Sequence, residues 1–146
     1  MVEVEYTSVK RVEDGGLFRR MPRSEMLNRA RDTTKLELQG GIIDLLKSFQ
    51  GTWGIVSVGW SGEFIRAALE SRGIDLSSKN VKIRANEVEF DNDGLGTGKI
   101  TKHKENKQGI RVARDKKREM QKMVDEWRTT VDDGTVVVSF HLLVQP

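Results

Sequence analysis

A chain of 146 residues that is 36% hydrophobic and 32% charged has the length and composition of one folded domain with a real core. It has no cysteine, which excludes disulfides, thiolate chemistry and cysteine-ligated metals, and its net charge of +3 does not by itself indicate a nucleic-acid partner. No apolar run approaches the roughly 20 residues of a membrane span. The start (Met1, Val2, Glu3, Val4, Glu5) lacks a basic region followed by an apolar one, so no leader is expected and a cytoplasmic setting is.

Residues 1–35 are polar, with a turn at Asp14, Gly15 and Gly16. Ser24 is expected to cap a short helix that carries Met26, Leu27 and Ala30 on one face. Beyond Gly41, the spacing of Ile42, Ile43, Leu45, Leu46 and Phe49 predicts a helix ended by Gly51. Residues 53–58 form a short apolar run that reads as a buried strand, and Ser61 is placed to cap the helix after it. In that helix Phe64 and Ala68, and Ile65 and Leu69, pair at i, i+4; Arg66 and Glu70 face out, and Gly73 stands at the C-terminal cap.

From Val81 the apolar period becomes two: Val81, Ile83 and Ala85, then Val88 and Phe90, up to a turn at Asp91, Asn92, Asp93 and Gly94. Residues 96–100 read as the returning strand of a hairpin. Residues 99–118 carry nine Lys or Arg against two acids, but no aromatic for base stacking, which favours a solvated face over a nucleic-acid surface. Asp115 can cap a last helix whose stripe is Met120, Met123, Val124 and Trp127. Residues 135–140 are strongly strand-prone. This order predicts an α/β fold with a parallel sheet. Trp60 and Trp127 are read most simply as core. His103 and His141 have no carboxylate at metal-ligand spacing, so no metal site is predicted from them.

The most telling detail is the end of the first strand. Ser57, Val58 and Gly59 follow the apolar run and lead at once into an amphipathic helix, as where an open α/β sheet presents a phosphate-binding hydroxyl. Together with Trp60, Ile65, Arg66 and Ala67, these residues resemble the phrase S-x-x-W-x-G-x-x-I-R-A, matched from Ser57 to Ala67 with Val58 and Gly59 in the gap. Residues 84–91 and 96–100 resemble a second phrase, H-A-N-E-x-x-F-E followed by S-T-G-E-I. Asp115 and Lys116 resemble a third, an aspartate and lysine ahead of an amphipathic helix. In this order, and with the polar segment from Ser8 to Phe18, the phrases resemble the haloacid dehalogenase-like (HAD) superfamily of phosphatases. Within it they are most similar to a plant and fungal branch with thiamin monophosphate phosphatase domains.

That resemblance implies a partial, Rossmann-like parallel-sheet core over residues 51–146, containing a β-hairpin, and a fragment of an α-helical cap over residues 1–50. It implies magnesium-dependent hydrolysis of a small phosphorylated metabolite, with thiamin monophosphate as the substrate of that branch. In this mechanism an aspartate attacks phosphorus and a second aspartate acts as acid and base. Magnesium, a hydroxyl and a lysine offset the phosphoryl charge. The resemblance gives Ser57 the hydroxyl's role and Lys116 the lysine's, and assigns Gly59, Trp60, Asn86 and Glu87 to the substrate side. The nucleophile motif D-x-D-G-T and the acidic motif G-D-S-x-x-D do not occur, and the expectation is a chain cut at both ends that lacks catalysis, binds no magnesium and has marginal stability. Residues 90–94 imitate D-x-D-G but follow Ser57 instead of preceding it, which assigns them to the hairpin turn. Two other readings are carried: a non-catalytic phosphate-binding or interaction remnant, and a basic nucleic-acid-binding module.

Overall fold

The computed structural model describes residues 2–36, 38, 41–78, 80–101 and 109–129. The order is α1 (Val2–Asp14), α2 (Arg23–Arg31), α3 (Ile42–Ser48), β1 (Trp53–Val56), α4 (Gly62–Glu70), β2 (Val81–Arg84), β3 (Glu87–Phe90), β4 (Gly96–Thr101) and α5 (Ala113–Arg128). β1 and β2 pair in parallel, with Trp53 opposite Val81 and Val56 opposite Arg84. β3 and β4 form an antiparallel hairpin with an irregularity between Val88 and Phe90. The fold is therefore α/β, with a small parallel sheet and a hairpin beside it. The strand expected at residues 135–140, and both histidines, lie outside the described residues.

The β1–α4–β2 unit follows from its sequence. A parallel connection needs a crossover helix, and α4 supplies one whose apolar stripe faces the sheet. Leu69 joins Trp53, Ile55, Ile74 and Ile83 in one core cluster, to which Leu46 of α3 also belongs. On its other side α4 meets α2, where Ala30, Ala67 and Ala68 let the two helices approach closely. Arg72 closes that seam by donating to the carbonyls of Ala30, Ala68 and Leu36.

The chain before α2 runs along the hairpin. Arg20 N donates to Gly96 O at 2.7 Å and Gly96 N to Met21 O at 2.9 Å. The hairpin turn is closed by Asp91, whose carboxylate accepts from Asp93 N and Leu95 N, and Gly94 takes the left-handed conformation there (φ 76°). The D-x-D-G sequence is a turn in this fold.

Several local expectations are corrected. Pro22, not Ser24, occupies the cap position of α2, and no side chain caps that end. Asp115 lies three residues inside α5 and reaches back to Arg111 N (3.0 Å) and Val112 N (3.2 Å); a carboxylate at the third position satisfies the same donors from the other side. Arg66 does not face freely outward: it folds onto Ile83 O (3.1 Å) and Glu87. The expected alternation also fails, because Ile83, Arg84, Ala85 and Asn86 are buried in succession. The face that should have met water is covered by α5.

That covering is close at Gly54, where a Cβ would lie 2.9 Å from the Trp127 ring and 2.9 Å from Lys82 O. Glycine inside a strand marks such an approach. Beside it, Arg84 pairs with Glu119 at 3.0 Å, and both Arg84 and Lys82 pair with Glu126. Glu119, 0% exposed, also takes Lys122 at 3.1 Å. Trp127 is core as expected, but Trp60 is 37% exposed and meets the edge of Phe18 at 6.0 Å between ring centroids.

Candidate functional site

The carboxyl end of β1 is where a chemically useful arrangement forms. Ser57 N continues the parallel ladder by donating to Arg84 O at 2.9 Å. The Ser57 hydroxyl oxygen accepts from Gly59 N, also at 2.9 Å. This contact folds the loop back on itself and uses the hydroxyl as an acceptor, so its own proton remains available for donation. Gly59 allows the turn to be this tight, since a Cβ there would stand 2.9 Å from Ser57 Oγ.

The start of α4 follows. Ser61 Oγ accepts from Phe64 N at 3.1 Å, as the sequence predicts for a cap. Glu63 N donates to Glu87 Oε2 at 3.2 Å, and Gly62 N to Asn86 O at 2.9 Å. A Cβ on Gly62 would lie 2.5 Å from Glu87 Oε1, so glycine admits the carboxylate against the helix end. The first amides of α4 are thereby filled by the chain's own acceptors, and Glu87 supplies the negative charge that a helix N-terminus favours. Any anion at this sheet end has to sit upstream, against residues 57–60.

The six residues singled out from sequence do not all come together. Ser57 and Gly59 share a hydrogen bond, and Asn86 is bound to the same loop. Its amide nitrogen donates to Val58 O (3.1 Å) and Gly59 O (3.3 Å). Glu87 is engaged with the start of α4 and with Arg66 at 3.5 Å. Trp60 follows the loop, partly open, with its ring against Phe18. Lys116 lies in the first turn of α5, half-buried, whereas Lys117 is exposed. Asn86, buried and saturated with backbone partners, has no donor left for a ligand.

The ionic groups between β2 and α5 were not singled out from sequence. Burial raises the carboxyl of Glu119, but its bonds to Arg84 and Lys122 outweigh this and hold it below its ordinary range. Burial likewise opposes, and Lys82 and Arg84 reverse, the shift at Glu126, which is also lowered. Asp115 follows the same balance, with burial overcome by the amides of Arg111 and Val112 and by Arg118. A usable signal existed: Asp115, Glu119, Met123 and Trp127 recur every four residues, which puts two acids on the helix's buried stripe.

No protein-family model matches this chain, and no curated protein and no solved structure matches it either. Among the described residues there is no group of three or more histidine or acidic side chains that could hold a metal ion. Nor is any helix among them long and apolar enough to cross a membrane.

Proposed function

We propose that residues 57–60 bind the phosphoryl group of a small phosphomonoester, in a phosphate-binding core of haloacid dehalogenase type. The observation that carries the reading is the Ser57 hydroxyl. It stands at the carboxyl end of a parallel strand, its oxygen is held by Gly59 N at 2.9 Å, and its proton is free to donate to a phosphoryl oxygen. The backbone N–H groups of Val58 and Trp60 donate to no acceptor among the described residues and are available to the same anion. Lys116, in the first turn of α5, is the countercharge of this reading.

The reading is of binding without turnover by these 146 residues. Asp91 and Asp115, the aspartates of the hairpin turn and of the α5 start, are both committed to backbone amides. Neither is left to attack phosphorus. Of the basic segment 99–118, residues 102–108 lie outside the described residues, and Arg118 is engaged by Asp115 and Glu119.

Calorimetric titration with inorganic phosphate and with an aryl phosphate, at low ionic strength, tests the reading. Saturable binding is expected, weakened about tenfold to a hundredfold by Ser57→Ala, the worth of one hydrogen bond to a charged group. Binding that is absent, or that is unchanged in the variant, overturns it.

A further inference from the structure

Asn86 is 3% exposed and stands just beyond β2, at the sheet end that carries Ser57. Its side-chain amide spans two segments far apart in sequence. Toward residues 57–60, the nitrogen donates to Val58 O and Gly59 O at 3.1 and 3.3 Å. Toward the segment leading into α5, the same nitrogen donates to Ile110 O at 2.9 Å, and Oδ1 accepts from Ile110 N at 2.9 Å. Ile110 is thus gripped at both its donor and its acceptor, a two-point contact that fixes orientation as well as distance. Two residues later Val112 begins the cap of α5, and Lys116 follows in its first turn.

The backbone of Asn86 adds to this. Its N–H donates to Gly59 O at 3.3 Å, and its carbonyl accepts from Gly62 N at 2.9 Å. One residue therefore joins the Ser57 loop, the start of α4 and the approach to α5. Replacement by alanine would remove the side-chain partner of the Val58 and Gly59 carbonyls and leave both polar groups of buried Ile110 without these bonds. Aspartate would keep an acceptor for Ile110 N but would set an anionic oxygen against three carbonyls.

We propose that Asn86 is a positioning residue, which couples the loop carrying Ser57 to the start of α5 so that Ser57 and Lys116 act on a bound phosphate as one unit. The proposal rests on the phosphate-binding reading of that loop. It takes Asn86 away from direct contact with the ligand, where the sequence resemblance had placed it.

A double-mutant cycle with inorganic phosphate as the probe tests the coupling. In the native chain Lys116→Ala is expected to weaken phosphate binding at least about tenfold. In the Asn86→Ala or Asn86→Asp background the same change is expected to alter binding less than about twofold, because the lysine is no longer held in register. A residue that only stabilises the fold would leave the lysine effect at its native size, and that result overturns the proposal. Should both Asn86 variants fail to fold, the native chain itself decides by NMR. Phosphate is expected to shift the Ile110 amide and the Asn86 side-chain amide signals but not that of Ala68; an unmoved Ile110 overturns the coupling. Native chain that binds no phosphate overturns the underlying reading, an outcome distinct from binding without coupling.

Discussion

The two surfaces of β2 are built on opposite principles. At its carboxyl end, Asn86 and Ser57 organise neutral dipoles, each short contact being a hydrogen bond between a side-chain amide or hydroxyl and the backbone. Along its length, Lys82 and Arg84 meet Glu119 and Glu126 of α5 through charges. The dipolar end leaves the Ser57 proton and neighbouring amides open to a visitor. The charged face has Glu119 enclosed by three cations, Arg84, Arg118 and Lys122. The first arrangement is the proposed binding end; the second holds α5 to the sheet, at the cost of desolvating the ions it uses.

The largest way to break this contrast is to strand a charge. Glu119→Ala leaves the guanidinium of Arg84 buried without one of its carboxylates, and a loss of about 3–5 kcal/mol is expected in urea denaturation. Replacing both partners, Glu119→Leu with Arg84→Met, should recover most of that loss, since an apolar pair of similar volume avoids the desolvation altogether. A double variant as unstable as the single one would show that the network contributes more than its own compensation.

Acid should act on the same face more gently, because a protonated Glu119 still fills its space. Glu119, Glu126 and Asp115 all have carboxyls lowered by their partners. A group lowered in the folded state adds stability above its unfolded value, near 4, and that contribution drains away as pH falls through the folded value. Stability is therefore expected to be level from neutrality to about pH 5 and to fall steadily below about pH 4. Glu119→Leu with Arg84→Met should flatten the fall, which a series of urea midpoints against pH would record.

The smallest effect sharpens the dipolar side. Phe18→Leu removes the edge contact with Trp60 while keeping apolar bulk, and about 0.5–1.5 kcal/mol is the worth of such a pair. A shift in the urea midpoint within that range, with the pH dependence of stability unaltered, would confirm that the strand-end loop and the ionic face are energetically separate.

How much of this could be read in advance follows the same division. The Ser61 cap, the Asp91 turn, the α4 stripe and the hairpin all depend on residues a few positions apart, and sequence spacing exposes such relations. The dual burial of β2 does not. Period two at Val81, Ile83 and Ala85 implies a wet opposite face, and only the arrival of α5, whose Glu119 lies 35 residues after Arg84, makes that face dry. Arg66 was misread for a related reason: a long side chain on the outer side of a helix can turn back to a strand end, here to Ile83 O. At the site itself, the strand-end serine was legible as a residue type. The orientation of its hydroxyl was not, because that depends on the turn of the loop through Gly59. Asn86 was legible as a residue of interest, but its partners, Val58, Gly59 and Ile110, emerge only when the strands are aligned.

The exposed ring of Trp60 gives this protein an optical consequence. Its three tryptophans occupy distinct surroundings: Trp53 and Trp127 are enclosed, Trp127 with the Lys82 ammonium 5.9 Å from its ring centre, and Trp60 stands partly in solvent three residues beyond Ser57. A neutral collisional quencher will reach Trp60 and spare the other two, so the quenchable fraction of the emission belongs to the mouth of the loop. The molecule thus carries its own indicator for the proposed phosphate, one that needs no label and reads the dipolar end of the sheet without hearing from the charged one.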